Sequence, residues 1–175
     1  LILVIFVVSL CLIYFNIVTI ENYNSKKIKI IQASPPHTGS TVLVNYLHGY
    51  LRPEEPIHYN NDTYLIMKTH NINIDKLMKK YSDYDCYFVI SERNDLKENA
   101  MINKKYQKYD NVLIINYGEI KDTENNYMLN NITNNLFVKF KNFLPIKTSN
   151  NEEEIKKNMS NRIKNMNKRY EEIKN

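Results

Sequence analysis

Residues 28–47 read IKIIQASPPHTGSTVLVNYL, which combines a strand, a glycine-containing loop and the start of a helix. The run 28–33 is apolar and rich in β-branched residues, as is typical of a buried strand. Gly39 lets the backbone turn, and the apolar stretch after it predicts a helix. Because the first turn of a helix presents unpaired N–H groups, this stretch predicts a binding site for phosphate or sulfate.

The loop differs at two positions from the phosphate loop of ATP and GTP hydrolases. That motif, G-x-x-x-x-G-K-[ST], has a glycine where this chain has Ser34 and a lysine where it has Ser40. The missing lysine is the group that reaches the β and γ phosphates. The loop therefore indicates an anion site that is not suited to ordinary nucleotide hydrolysis, with Ser40 and Thr41 as hydroxyl donors.

Apolar runs and helical patterns alternate along the chain. The predicted strands are 28–33, 63–68, 86–91 and 112–116, and the predicted helices are 41–51, 74–81, 96–109 and 127–144. Asp95 and Glu98 are the expected N-cap and N3 residues of the third helix. The alternation predicts a three-layer, P-loop-like α/β domain over 28–145, with a mostly parallel sheet, followed by a charged C-terminal helix at 146–175.

The first 20 residues contain no charged side chain and are long enough to cross a bilayer as one helix. We expect a transmembrane signal anchor at 1–20 and a polar linker at 21–27; a cleaved signal peptide is the alternative. We expect a single-pass, type II membrane protein whose domain lies in the lumen of the Golgi or another endomembrane compartment. The orientation of the chain in the membrane is not decided, because Lys26 and Lys27 after the span favour a cytoplasmic position for the domain.

Charge and cysteine content exclude two classes of protein. The chain of 175 residues has a formal net charge of +5, but its basic residues are mixed with glutamates in the last segment, which is typical of a solvated helix face. We therefore expect no nucleic-acid partner. Cys11 lies in the apolar span and Cys86 in a predicted buried strand, so no disulfide is expected.

Polar groups follow three of the predicted strands directly. They are the loop at 36–41, the stretch Lys68-Thr69-His70, and the stretch Ser91-Glu92-Arg93-Asn94. Parallel strands bring their carboxyl ends to one edge of the sheet, where such folds bind ligands. We expect the three groups to form one site, and the histidines give no cluster with metal-ligand spacing, so no metal is expected.

These three groups resemble the sulfotransferases that use 3′-phosphoadenosine 5′-phosphosulfate (PAPS). The family loop P-[KR]-[ST]-G-[ST]-[ST] is similar to PHTGST at 36–41, its K-T-H stretch matches 68–70, and its hydrophobic run ending in Arg-Asn resembles 88–94. The stretch Tyr117-Gly118-Glu119 resembles a tyrosine-acid element of the family. The resemblance covers about residues 28–119.

The resemblance implies an enzyme that moves a sulfuryl group from PAPS to an acceptor hydroxyl. It implies that His70 is the catalytic base and that Lys68 and His37 offset charge on the transferring and leaving groups. Anchored members of the family act on glycans, so the implied acceptor is a carbohydrate. The residues implied to bind the donor are His37, Thr38, Gly39, Ser40, Thr41 and Arg93, the last of them at the 3′-phosphate.

Two positions depart from the family pattern. His37 stands where the family has lysine or arginine, and Met101 stands where it has a serine of the 3′-phosphate site, for which Asn99 is the candidate substitute. Both departures favour an alternative, a catalytically degenerate nucleotide-binding or scaffold membrane protein of the same fold. A nucleotide kinase or hydrolase is a further alternative, which Ser40 in place of lysine disfavours.

Overall fold

The fold is a four-stranded parallel sheet with helices on both faces. A computed structural model describes residues 27–51, 64–93, 95, 102–146 and 151–174. The strands are β1 (Lys27–Ala33), β2 (Tyr64–Thr69), β3 (Tyr84–Glu92) and β4 (Val112–Asn116). The helices are α1 (Ser40–Leu51), α2 (Ile74–Lys80), α3 (Ile102–Tyr106), α4 (Asn126–Phe143) and α5 (Glu152–Lys174), with a 3₁₀ turn at Tyr117–Glu119.

The sheet has apolar side chains on both faces because it is covered on both. Ile30, Val89 and Ile115 belong to one buried cluster, under α1, α4 and α5. Ile31 and Phe88, neighbours in the parallel register of β1 and β3, belong to the other cluster, under α2 and α3. Strands buried on both faces read as continuous apolar runs, which is why the sequence predicted them.

The strand order β2-β1-β3-β4 creates a crevice at the carboxyl end of β1. The chain leaves β1 for β2 on one side, then crosses back to place β3 on the other side of β1. With right-handed crossovers, the helices on the two connections lie on opposite faces. Ligands of open parallel sheets bind where the connections diverge in this way. The predicted three-layer α/β architecture is confirmed, and the described strands are all parallel.

Most element boundaries agree with the predictions to within two residues. The third predicted helix, 96–109, was wrong at its end, because α3 stops at Tyr106 and Tyr109 lies in the turn that leads to β4. Residues 96–101 lie outside the described residues, as does Glu98 of the expected cap. Lys27, assigned to the linker, instead begins β1.

The predicted signal anchor, residues 1–20, lies outside the described residues, and so does the linker up to residue 26. Among the helices within the described part of the chain, none combines the length and the apolar composition that a membrane span requires. Membrane anchoring, a lumenal location and the choice between anchor and cleaved signal stay predictions.

The charged helix α5 packs antiparallel to α1 and is part of the core. Ile155, Met159 and Ile163, spaced four residues apart, are buried, while most of its charged residues are exposed. The contact is close, since a Cβ built on Gly49 would lie only 2.6 Å from the Cα of Met159. Glycine at position 49 therefore allows the two helix backbones to approach, and α5 covers α1 along its length.

Replacing Gly49 with alanine tests this close approach. Overpacking costs about 1–3 kcal/mol, whereas alanine in a helix free of such a contact is about 1 kcal/mol more favourable than glycine. We expect the free energy of unfolding in urea to fall by about 1–2 kcal/mol. Asn131→Ala, on the exposed face of α4, is the control and should change stability by about 0.5 kcal/mol or less. A more stable Gly49→Ala protein would contradict the contact.

Candidate anion site

The loop between β1 and α1 has two residues in the left-handed region. His37 has φ 63° and Gly39 has φ 78°. Glycine at position 39 is required for a second reason, because a Cβ there would lie 2.9 Å from side-chain atoms of both Tyr117 and Ile120. The segment after β4 therefore packs directly against the loop and fixes its curvature.

A buried set of hydroxyl groups holds the loop against β3. Thr38 Oγ1 donates to the carbonyl of Pro35 at 2.8 Å and lies 2.9 Å from Ser91 Oγ. Since the single hydroxyl proton of Thr38 is used on Pro35, Ser91 Oγ must be the donor in the second contact. The backbone N–H of Ser91 donates to Ser34 Oγ at 2.7 Å, and Gln32 Nε2 donates to the same oxygen.

The N-terminus of α1 and the end of β2 meet beside this loop. Helix α1 has no acidic residue in its first turn, so the partial positive charge of its N-terminus is not neutralised from within the helix. Lys68 Nζ donates to Thr41 Oγ1 at 2.8 Å. Although much of the Lys68 side chain is exposed, desolvation lowers the pKa of its ammonium group. The ammonium group and the unpaired N–H groups of the helix thus lie together.

His70 is oriented by a backbone carbonyl. Its Nδ1 lies 2.9 Å from the carbonyl oxygen of Ser34. A carbonyl oxygen only accepts, so Nδ1 carries a proton in this contact, and in the neutral imidazole Nε2 is the nitrogen with the lone pair. The imidazole is exposed at the edge of the sheet. This is the arrangement that a general base needs, with one nitrogen held and the other open to a substrate.

Arg93 contacts the same loop from β3. Its Nη1 donates to the carbonyl of His37 at 3.3 Å, and its guanidinium lies 4.7 Å from the centre of the Tyr117 ring. It also forms two hydrogen bonds with Asp95, Nε to Oδ1 at 3.0 Å and Nη2 to Oδ2 at 2.6 Å. The bonds to Arg93 lower the pKa of the Asp95 carboxyl. The guanidinium therefore already has a carboxylate partner, which an incoming phosphate would have to displace.

The structure brings together the predicted residues of the loop with Lys68, His70 and Arg93. The contact that His37 makes is through its backbone: its carbonyl accepts a hydrogen bond from Arg93, while its side chain is exposed. The expected role of the His37 side chain stays a prediction. Asn99 and Met101 lie outside the described residues, so the second half of the expected 3′-phosphate site stays a prediction.

Sequence reasoning missed several contacts that position the site. Gln32, a buried polar residue near the end of β1, was not singled out, and Ser91 was placed in the third polar group without its contact to Thr38. The pair of Asp95 with Arg93 was also missed, and the role of Asp95 as a helix cap stays a prediction, because residues 96–101 lie outside the described residues. The contact of Tyr117 with Arg93 and Gly39 had no local signal, because it joins segments far apart in the chain.

Comparisons with protein-family models, with curated proteins and with solved structures gave no match.

Replacing Thr38 with valine tests the buried hydroxyl set. The change keeps the shape of the side chain but leaves the Pro35 carbonyl and the Ser91 hydroxyl without this partner, which costs about 1–3 kcal/mol. Thr38→Ser is the control, because it keeps the hydroxyl and removes only a methyl, at about 0.8 kcal/mol. We expect the valine variant to be the less stable in urea denaturation; equal or greater stability than the serine variant would contradict the network.

Proposed function

We propose that the protein is a PAPS-dependent sulfotransferase. The observation that carries the proposal is the orientation of His70, whose Nδ1 is held by the Ser34 carbonyl while Nε2 is open at the edge where α1 begins. A base, an ammonium group and a helix N-terminus at one crevice are the groups that in-line sulfuryl transfer requires. Such a reaction resembles phosphoryl transfer, in which positioning and charge stabilisation supply most of the catalysis.

The residues at the crevice fit a donor with an anion at each end. The N–H groups of Gly39, Ser40 and Thr41 would hold the 5′-phosphosulfate, with Lys68 beside them at Thr41. Arg93, which contacts the same loop through the His37 carbonyl, would bind the 3′-phosphate with its planar fork. The donor supplies the sulfuryl group, and the protein supplies its orientation and the charge around it.

The chemistry assigned to the protein is one proton transfer and the stabilisation of charge. His70 Nε2 accepts the proton of the acceptor hydroxyl as that oxygen forms its bond to sulfur. The bond that breaks joins sulfur to the bridging oxygen of the 5′-phosphate, which keeps the electron pair. Lys68 offsets charge on the sulfuryl oxygens, while the helix N-terminus and His37, when protonated, stabilise the departing phosphate.

The Arg93–Asp95 pair favours a second candidate, a catalytically degenerate scaffold protein of the same fold. A guanidinium that is already bonded twice to a carboxylate offers less net charge to a phosphate. Asp95 is 64% exposed, however, and an ion pair in contact with water is weak enough to be exchanged. Two measurements separate the candidates. One is the binding of 3′-phosphoadenosine 5′-phosphate, and the other is the loss of transfer when His70 is replaced.

Removal of the His70 imidazole should greatly slow transfer and leave donor binding unchanged. We expect His70→Ala to lower the turnover of radiolabelled sulfate from PAPS by about 10²–10⁴. Binding of 3′-phosphoadenosine 5′-phosphate, measured by calorimetry, should be unchanged. His48→Ala is the matched control, since His48 lies in the last turn of α1, about 12 Å along the helix from Ser40. A His70→Ala protein with the original turnover would exclude His70 as the base.

Arg93 and Asp95 should have opposite effects on binding of the 3′-phosphate. We expect Arg93→Gln to weaken 3′-phosphoadenosine 5′-phosphate by about tenfold or more, because charge-assisted hydrogen bonds are lost. Asp95→Asn should strengthen it, because Arg93 is released. Adenosine 5′-phosphate, which lacks the 3′-phosphate, is the control ligand, and neither change should alter its binding. Equal weakening of both ligands by Arg93→Gln would mean that Arg93 only shapes the loop.

A further inference from the structure

A cavity of about 510 Å³ lies between α1 and the C-terminal half of α5. Its volume is within the range of sites for small organic molecules. Because α5 runs antiparallel to α1, its C-terminal end lies toward the N-terminus of α1, where the anion site is. The cavity is therefore on the same edge of the domain as the crevice.

Asn45 connects the cavity to the anion site. Its Nδ2 donates to the carbonyl of Thr41 at 2.8 Å, and its Oδ1 accepts from Arg162 Nε at 3.3 Å. The hydroxyl oxygen of Thr41 accepts a hydrogen bond from Lys68 Nζ. Since Thr41 and Asn45 are four residues apart, the cavity opens about 6 Å along α1 from the place where sulfuryl transfer is proposed.

The cavity contains two guanidinium groups without a carboxylate. Arg162 and Arg169 both line it, and among the residues described by the structure neither has an ion-pair partner. Burial lowers the pKa of Arg162, and the charge of Arg169 adds to this effect. The Nε of Arg162 is bonded to Asn45, which leaves its two Nη nitrogens for another acceptor. An anion in the cavity would relieve the repulsion between the two cations.

Besides the arginines, two asparagines (Asn45 and Asn165) and three apolar side chains line the cavity. The apolar side chains are Met166, Tyr170 and Ile173. Tyr170 is 47% exposed and Ile173 is 81% exposed, whereas Ile155, Met159 and Ile163 of the same helix are buried. An apolar surface next to two cations is complementary to a molecule with an apolar body and an acidic group.

We propose that this cavity binds the acceptor, and that the acceptor is an amphiphilic organic anion. Its carboxylate or sulfate would bind Arg162 and Arg169, its apolar body would contact Tyr170 and Ile173, and its hydroxyl would extend past Asn45 to the crevice. The identification of this ligand as the acceptor rests on the proposed function. Binding of the anion itself does not depend on sulfuryl transfer.

Calorimetry on the full chain tests the cavity with three probes that share one body. They are 4-(4-hydroxyphenyl)butyrate, its neutral amide and the corresponding sulfonate. We expect the two anions to bind at least about tenfold more tightly than the amide, because a charge-assisted pair with arginine is lost in the amide. A preference for the carboxylate or the sulfonate then identifies which acidic group the cavity takes.

Variants of α5 assign the preference to the two arginines. Arg162→Gln and Arg169→Gln should reduce the preference for the anions to about threefold or less. Arg169 is exposed, so its variant should fold even if that of the half-buried Arg162 does not. Lys168→Gln is the matched control, since Lys168 is 79% exposed on the same helix and does not line the cavity; it should keep the full preference.

Titration with 3′-phosphoadenosine 5′-phosphate in parallel separates this inference from the proposed function. An anion preference that depends on Arg169, without binding of the nucleotide, would support the cavity and overturn the donor assignment. If the nucleotide binds but anion and amide bind equally, or no probe binds, the proposed role of the cavity is overturned. The donor assignment is then left in place. A preference retained in both arginine variants would also overturn the cavity.

Discussion

Ser34 joins the carboxyl ends of three strands, and the site depends on it. Its N–H donates to the carbonyl of Thr69 at 3.1 Å, its carbonyl accepts from His70, and its hydroxyl accepts from the backbone of Ser91. The residue is fully buried, so these bonds are not exchanged with water. One residue at the end of β1 thereby sets the positions of the imidazole from β2 and of the strand end that precedes Arg93.

Contacts on both sides of His37 explain why the loop can hold an uncommon backbone conformation. A non-glycine residue with positive φ, such as His37, is unfavourable by itself and persists where its surroundings fix it. Here Thr38 is bonded on one side of it, and Arg93 holds its carbonyl. The His37 carbonyl is thereby paired with a cation, and the two bonds hold the loop at His37 and at its neighbour Thr38.

The sequence predicted the sheet better than it predicted the site. Strands buried on both faces are visible as apolar runs, and the strand at 112–116 was located without error. The pair of Asp95 with Arg93 was not predicted, because an acidic residue ahead of a helical pattern also suits an N-cap and the sequence does not show which charge lies beside it. The contact of Gly49 with Met159 had no local signal, since it joins residues more than a hundred positions apart. The mixed charges of the last segment predicted only a solvated helix face, and the spacing of Ile155, Met159 and Ile163 was the unused signal for the buried face.

The distribution of charge identifies the groups that would stabilise an anion at the site. Arg93 is compensated by Asp95, and His37 carries a charge only when it is protonated, so neither is a permanent free cation beside the loop. Lys68 and the α1 N-terminus are left as the main sources of positive potential. Desolvation lowers the pKa of Lys68, but the same loss of solvent reduces the screening of its charge by water. A single ammonium group next to an uncompensated helix end can therefore stabilise a transferring group more strongly than its exposed position suggests. For the proposed transfer, we therefore expect the rate to depend on this pair of charges more than on His37, which stands where the sulfotransferase pattern has lysine or arginine.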